Sequence, residues 1–502
     1  MRKLVKMLTS KTLIIGLIFL VQMIFLFFIV YKLSINNYIG LYVQLFFIIM
    51  AFLTVIHILS NDDNPIYKMA WLIPVLALPV FGTFFYILYH GNNITQRTMR
   101  KYNQIIKDRA SLLIEQPNYS NLKEINFFNR NGWRDYKNTS SLFLGSGEEK
   151  LKNLLWDLEN AQEFILFEYF IISKGKMFDQ ILNILIDKAS NGVEVKVLYD
   201  DFGCAGRLPS NFIKKMKKKN IEVIAFNRMR WHINFGMNYR DHRKIVVIDN
   251  KVGYTGGINI ADEYINEYKR FGHWHDASVR IEGDAVWSLT LTFLENWNFS
   301  LKETEQVQYT KYYRKHKVEA DGIVLPFADS PIEKSNLTRD LYLYLINSAK
   351  KEILITSPYL IFDNELFTAL KLAAHSGIDV KIIIPNIADK KLVYLVTESY
   401  AEELSQSGIK IYKYTPGFIH SKLLVIDHEK AVIGTTNLDF RSLYLHFEDN
   451  IYLYKSKTVE SIRRFILNTL ELSAFQTPDD LRKKSFILRI IQLIIKGFAP
   501  IL

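Results

Sequence analysis

The 502-residue chain has a single cysteine, Cys204. That excludes an intrachain disulfide framework and a thiolate metal cage, so any chemistry has to come from other side chains. Acidic residues are the minority charge: 51 Asp and Glu stand against 63 Lys and Arg, a formal balance of +12. The excess favours anionic partners (nucleic acid, phospholipid headgroups, phosphorylated substrates) and does not choose among them. Charge is scarcest near the amino terminus. After MRKLVKMLTSK, the run from Thr12 to Tyr31 has Gln22 as its one amide or charged side chain, and that length suffices to cross a bilayer. No small-residue cleavage site follows, so an uncleaved anchor is expected instead of a secretory signal.

A second apolar run, Ile39 to Leu59, and a third, Met69 to Tyr89 with Pro74 and Pro79 inside it, complete a predicted membrane region over 1–92. Basic residues precede Thr12, and Arg97, Arg100, Lys101, Lys107 and Arg109 follow the third run. By the positive-inside rule both flanks belong in the cytoplasm. Three full crossings cannot satisfy that, so the proline-broken segment is expected to be re-entrant or interfacial, leaving a cytoplasmic body.

Beyond a helical linker over 93–135, apolar runs of strand length alternate with helical patterns. LKNLLWDLENA, FILFEYFII, FDQILNILIDKASNG and VEVKVLYDD read as helix, strand, helix, strand, which implies a parallel sheet. The order recurs in TRDLYLYLINSAKK, EILITSPYLI, LFTALKLAAHSG and IDVKIIIPN, with Gly377 matching Gly192. The expected fold is therefore two duplicated α/β units, 136–310 and 311–475, related by a pseudo-twofold axis. A basic amphipathic tail, 476–502, closes the chain. Its Arg482, Lys483, Lys484, Arg489 and Lys496 beside an apolar run predict an interfacial helix. KKMKKK, Lys214 to Lys219, reads as a solvated helix face.

The duplication extends to one motif. HRKIVVID, His242 to Asp249, returns as HSKLLVID, His420 to Asp427, and each copy is followed at the same distance by GGIN or GTTN. The shared pattern is H-x-K-x4-D-x6-G-[GT]-x-N. Two such strands meeting at the axis would bring His242, Lys244, His420 and Lys422 together with Asn259 and Asn437. That set suits a phosphodiester: one imidazole attacks phosphorus, the other protonates the leaving oxygen, and cations and amides hold the non-bridging oxygens. Asp249 and Asp427 complete the motif, but strand parity turns them from the phosphate and makes them supports of loop or sheet. Gly257 allows only backbone N–H contacts to phosphate, and Thr435 holds the corresponding place in the second copy. His273 and His275 have the spacing of a metal pair; the two-histidine chemistry needs no metal, and neither metal nor cofactor is expected.

The doubled motif resembles that of the phospholipase D superfamily over essentially the whole soluble body. Flanking sequences such as NYRDHRKIVVIDNKVGYTGGIN, NLDFRSLYLHFEDN and the terminal APIL are similar to bacterial cardiolipin synthases. The resemblance implies a multi-pass protein of the bacterial cell membrane. It would move a phosphatidyl group from one phosphatidylglycerol to another through a phosphatidyl-histidine, with His242 as nucleophile and His420 as acid and then base. The exchanged assignment stays open. By the same resemblance Asp276 and Glu448, one carboxylate downstream of each motif, orient the histidines. Anionic lipids are the expected partners and nucleic acid is not; the oligomeric state is left undetermined. Two alternatives remain: the same residues passing the phosphoryl group to water, as a phospholipase D or tethered nuclease, or an inactive lipid-binding scaffold.

Overall fold

The computed structural model describes residues 24, 37–89, 96–114, 122–228, 239–333 and 335–501. The run over 12–31 lies outside them, Ile24 apart. Two compact units divide the chain.

Among its described residues the smaller unit holds the helices α1 (Asn37–Ser60), α2 (Pro65–Ala77) and α3 (Pro79–Tyr89). Asn64 caps α2 by accepting the Ile66 N–H at 3.0 Å. Pro79 cannot continue α2, and the chain breaks at Leu78 (φ −134°, ψ 76°). α2 and α3 then meet so closely that a Cβ on Gly82 would lie 2.1 Å from the Pro74 carbonyl oxygen. The third apolar run is thus two short helices, not one. Among the residues whose side chains are described, no helix is long and apolar enough to cross a membrane. In α1 the continuous stretch so described is 45–60, short of the roughly 20 residues that a hydrocarbon core requires.

The larger unit begins with α4 (Gln96–Ile114) and α5 (Lys123–Arg130). The linker they form is part of the body: Tyr102 and Phe128 are fully buried, and the buried Arg109 pairs with Glu295 at 3.0 Å. Lys101 donates to the Phe299 carbonyl at 2.8 Å. Two of the five cations read as a topology signal therefore serve packing instead.

The first half runs β1 (Thr139–Leu144), α6 (Gly147–Glu159), β2 (Phe164–Tyr169), α7 (Lys176–Ser190), β3 (Glu194–Asp200), α8 (Phe212–Lys217), β4 (Ile221–Phe226), β5 (Arg240–Asp241), β6 (Lys244–Ile248), β7 (Val252–Gly256), β8 (His273–His275), β9 (Ser278–Gly283) and α9 (Val286–Ser300). The second runs β10 (Ile323–Asp329), α10 (Leu337–Ser348), β11 (Glu352–Thr356), α11 (Asn364–His375), β12 (Asp379–Pro385), α12 (Lys391–Ser405), β13 (Lys410–Tyr414), β14 (Gly417–Ile419), β15 (Leu423–Ile426), β16 (Lys430–Gly434), α13 (Phe440–Tyr444), β17 (His446–Tyr454) and α14 (Lys457–Glu471). β18 (Ser473–Gln476), α15 (Pro478–Arg482) and α16 (Phe486–Gly497) follow.

The two main sheets have one topology. Their orders are β1-β9-β7-β6-β2-β3-β4 and β10-β17-β16-β15-β11-β12-β13, the latter extended by β18. In each, two strands joined through helices pair in parallel, β2 with β3 and β11 with β12, and the hairpin that follows the histidine lies antiparallel beside them. Gly192 and Gly377 end matched helices at φ +91° and +86°, where a side chain would be strained. In α8, Phe212 and Met216 are buried while Lys214, Lys215 and Lys217 are exposed.

Candidate active site

Two short parallel pairs cross between the halves and set the site. β5 lies beside the start of β17, with Asp241 opposite Phe447, and the His242 N–H donates to the Phe447 carbonyl at 2.9 Å. β14 lies beside β8, with Ile419 opposite His275, and the His420 N–H donates to the His275 carbonyl at 2.7 Å. In each pair the next residue on one strand is a motif histidine and on the other a carboxylate. His242 Nδ1 accordingly lies 2.9 and 3.0 Å from the Glu448 oxygens, and His420 Nδ1 lies 2.6 Å from Asp276 Oδ2. The sequence order suggests Asp276 for His242 and Glu448 for His420. The structure pairs them the other way, each histidine with the carboxylate of the opposite half.

Both imidazoles are mostly buried, and burial governs their protonation. It pushes His242 down to about 3 against the pull of Glu448. It pushes His420 down to about 4, with the Lys422 ammonium adding to the effect. At neutral pH each ring is uncharged, donates Nδ1–H to an ionised carboxylate and keeps the Nε2 lone pair free. Burial also opposes ionisation of the carboxylates, yet His242 and His446 hold Glu448 well below the usual range, and His420 and Lys422 lower Asp276. Burial lowers Lys244 to about 8 and Lys422 to about 7. Lys244 donates to the His242 carbonyl at 2.6 Å; Lys422 donates to the His420 carbonyl and stands 2.9 Å from His420 Nδ1. The halves act on one another electrostatically: Lys244 disfavours charge on His420, and Asp276 favours it on Lys422.

Other motif residues are elsewhere engaged. Asp249 and Asp427 take the left-handed first position of two-residue hairpin turns, at φ +53° and +51°. Asp249 accepts backbone N–H groups of Gln162, Glu163 and Phe164, each at 2.8 Å. Asp427 accepts those of Lys350, Lys351 and Glu352 at 2.7, 2.7 and 3.0 Å. They clamp the entries of β2 and β11 at the far ends of β6 and β15 from the histidines. The expected phosphate ligands have partners within the protein. The Gly257 N–H is taken by the Ala277 carbonyl at 2.9 Å, and a Cβ there would fall 2.1 Å from Asp276 Oδ1. Thr435 donates its hydroxyl to Glu448. Gly257 and Thr435 thus serve the orienting carboxylates: one makes room, the other supplies a donor. Asn259 accepts the Ile171 N–H at 3.0 Å and donates to the Tyr264 hydroxyl at 2.7 Å. Asn437 donates to Ser442 Oγ at 3.2 Å, and its Oδ1 is buried without a hydrogen bond.

Two residues not anticipated from sequence stand at the site. His446 Nδ1 lies 3.7 Å from Glu448 Oε1, its ring 5.6 Å from that of His242. Its counterpart, two residues before Asp276, is Trp274, whose ring is 5.4 Å from His420. The buried Lys150 donates to the carbonyl of Ile258, inside GGIN, at 3.0 Å; burial lowers it to about 7. Spacing from HxK finds neither, because His446 belongs to the crossing strand and Lys150 to α6. His273 and His275 go to Tyr414 and Thr469, at 2.9 and 3.0 Å. Donor atoms of His242, His446 and Glu448 lie within 4.8 Å of one another, close enough to share a metal ion. The Glu448 oxygens already accept from His242 and Thr435.

Comparison with known proteins agrees with this geometry. The family described as "Cardiolipin synthase, PLD-like domain" matches residues 154–271 and 342–469, one match per half. A second family, described as "Phospholipase_D-nuclease N-terminal", matches 49–89. The cardiolipin synthase of Alkalihalophilus pseudofirmus is 35% identical, covering 89% of this chain and 91% of its own. That of Staphylococcus aureus is 36% identical, covering 89% and 94%. The crystal structure of Haemophilus influenzae phosphatidylserine synthase shares the fold, with a TM-score of 0.57 at 16% identity over 80% of this chain and 98% of that one. A duplicated fold, one H-x-K motif in each half and near full-length similarity converge: this chain belongs to the cardiolipin synthase family of phospholipase D-like phosphatidyltransferases.

Proposed function

We propose that the protein condenses two phosphatidylglycerols into cardiolipin and glycerol by two in-line displacements at phosphorus. His242 Nε2 attacks the phosphorus of the first lipid while His420 gives a proton to the departing glycerol oxygen. The phosphatidyl-His242 so formed is then attacked by a glycerol hydroxyl of the second lipid, whose proton returns to His420. The observation that carries the assignment is an asymmetry between the two rings. His242 Nδ1 meets both oxygens of Glu448, which supports the positive ring of a phosphorylated imidazole; His420 Nδ1 meets one oxygen of Asp276 at 2.6 Å with the Lys422 ammonium 2.9 Å away, which weakens proton affinity and sharpens an acid. In the resting site His420 is neutral with Nε2 unprotonated; the incoming phosphodiester anion raises the ring's proton affinity, and Nε2 takes up a proton from water before it acts as the acid. Lys244 and Lys422, in no ion pair among the described residues, are the cations for the non-bridging oxygens.

A bilayer setting follows from the substrates. We place α1 in the membrane together with the α2–α3 hairpin. α1 has no Asp, Glu, Lys or Arg along 24 residues and would span about 36 Å at 1.5 Å per residue. A re-entrant hairpin fits the Pro79 break, and the basic flanks of the sequence put the body on the cytoplasmic side of a bacterial cell membrane.

The test is purified protein with phosphatidylglycerol in mixed micelles, products identified by mass spectrometry. Cardiolipin plus glycerol is expected, lost in both His242→Ala and His420→Ala, with a lipid adduct trapped on His242 in the slow His420→Ala protein. Phosphatidic acid as the sole lipid product would make water the acceptor. An adduct on His420 would exchange the two roles.

A further inference from the structure

The carboxy-terminal helix α16 is amphipathic, and it is mounted with its polar side inward. Gln492 is 4% exposed and donates to the Leu395 carbonyl at 2.8 Å. Lys496 pairs with Glu403, and Arg489 stands 3.7 Å from Glu402. In the segment leading into the helix, Arg482 reaches Glu402 at 3.2 Å and Lys484 reaches Glu398 at 3.3 Å. All three glutamates belong to α12, so one acidic strip gathers the basic residues of α15 and α16. The opposite side of the helix carries Phe486, Ile487, Ile490, Ile491, Leu493 and Ile494, from 38% to 77% exposed. A helix that packs its apolar stripe into a core shows the reverse arrangement.

We infer that α16 docks the catalytic body onto a phospholipid bilayer by inserting this outward aliphatic face between the lipids. Three observations favour a bilayer as occupant. The family to which the chain belongs takes its substrates from lipid. The exposed Lys483, 75% accessible, and the half-exposed Arg482 and Arg489 border the apolar face, a rim complementary to anionic headgroups. The turn after α16, Ala499–Ile501, packs against α13, the short helix just beyond GTTN. The inserted face is therefore tied to the loop that supports Glu448. Because α12 already neutralises most of the basic residues, attachment rests on apolar burial more than on charge.

The experiment uses the full chain reconstituted in phosphatidylglycerol-containing vesicles, with an environment-sensitive fluorophore on Ile487→Cys or Leu493→Cys and on Lys152→Cys, an exposed position of α6, as control. Cys204 is buried and stays unlabelled. Dye at 487 and 493 is expected to be quenched by doxyl-labelled lipids and shielded severalfold from aqueous iodide, the same in about 1 M NaCl, where charge attraction is screened within about 3 Å. Dye at 152 shows the reverse. Iodide quenching at 487 and 493 equal to that at 152 overturns the proposal. So does shielding without lipid quenching, accompanied by cross-links between copies, which would mark a protein interface. Loss of lipid quenching in high salt overturns the apolar mode of attachment. None of these readouts requires cardiolipin formation, so the proposed reaction and this attachment stand or fall separately.

Discussion

A carboxylate that orients an imidazole also stabilises the positive charge the ring acquires, and the two roles separate on substitution. Glu448→Gln keeps the shape while removing the charge that accepts Nδ1–H. Turnover is expected to fall by about 10²- to 10⁴-fold, the scale of the equivalent change in a serine-protease triad, with little change in thermal stability; steady-state kinetics beside a melting curve separates the two. Thr435→Val, which removes the hydroxyl donated to Glu448, should cost about tenfold, one charge-assisted hydrogen bond of roughly 1.5 kcal/mol. The lysines make a second prediction. Lys422 and Lys244 are lowered to about 7 and about 8, so as pH rises through that window their ammonium form is lost, and kcat/KM should decline there. An unperturbed lysine would hold until about 10.4. A bound phosphodiester anion favours the charged form, so the alkaline limb of kcat should sit at higher pH than that of kcat/KM. Coincident limbs near pH 10 would show that neither buried ammonium limits the reaction.

At the scale of strands and turns, the aspartate of H-x-K-x4-D acts through the backbone. Asp249 and Asp427 each accept three N–H groups at the entry of a central strand while holding a left-handed turn. Replacement by Asn keeps the turn and loses part of that acceptor capacity, about 2 kcal/mol for hydrogen bonds to a charged group. Asp249→Asn should lower the melting temperature while kcat per folded molecule changes less than about threefold, since the loss lies in folding and not at the transition state. Much of this level was legible in sequence. Alternating strands and helices, their recurrence, and the parity that turns Asp249 from His242 are local properties of the chain. The destinations of Gly257 and Thr435 were not, because which group a turn supports depends on the residue the other strand brings to it.

Across the whole molecule, the site exists only where the halves cross. Sequence order hides this: the distance from His242 to Asp276 along the chain says nothing of the β8–β14 pair that delivers Asp276 to His420. His446 was obscure for the same reason, and Lys150 because it lies on α6, far along the chain from the Ile258 carbonyl it meets. The crossing bonds predict that the backbone amides of His242 and His420, which donate to Phe447 and His275, exchange with deuterium only when the entire body unfolds. A faster phase confined to these two amides, followed by mass spectrometry, would show that the halves part before either melts.

The crossing also bears on ancestry. A half-length chain of this topology carries its histidine and its carboxylate on opposite sides of the axis, so it can complete a site only as a pair of copies. In such a pair the two histidines are identical by symmetry and share every neighbour. Joining the copies in one chain removes that constraint. Here the two ends have diverged to Glu448 with Thr435 and His446, and to Asp276 with Gly257 and Trp274. Covalent fusion is what would let one ring take the proposed role of nucleophile and its twin that of acid.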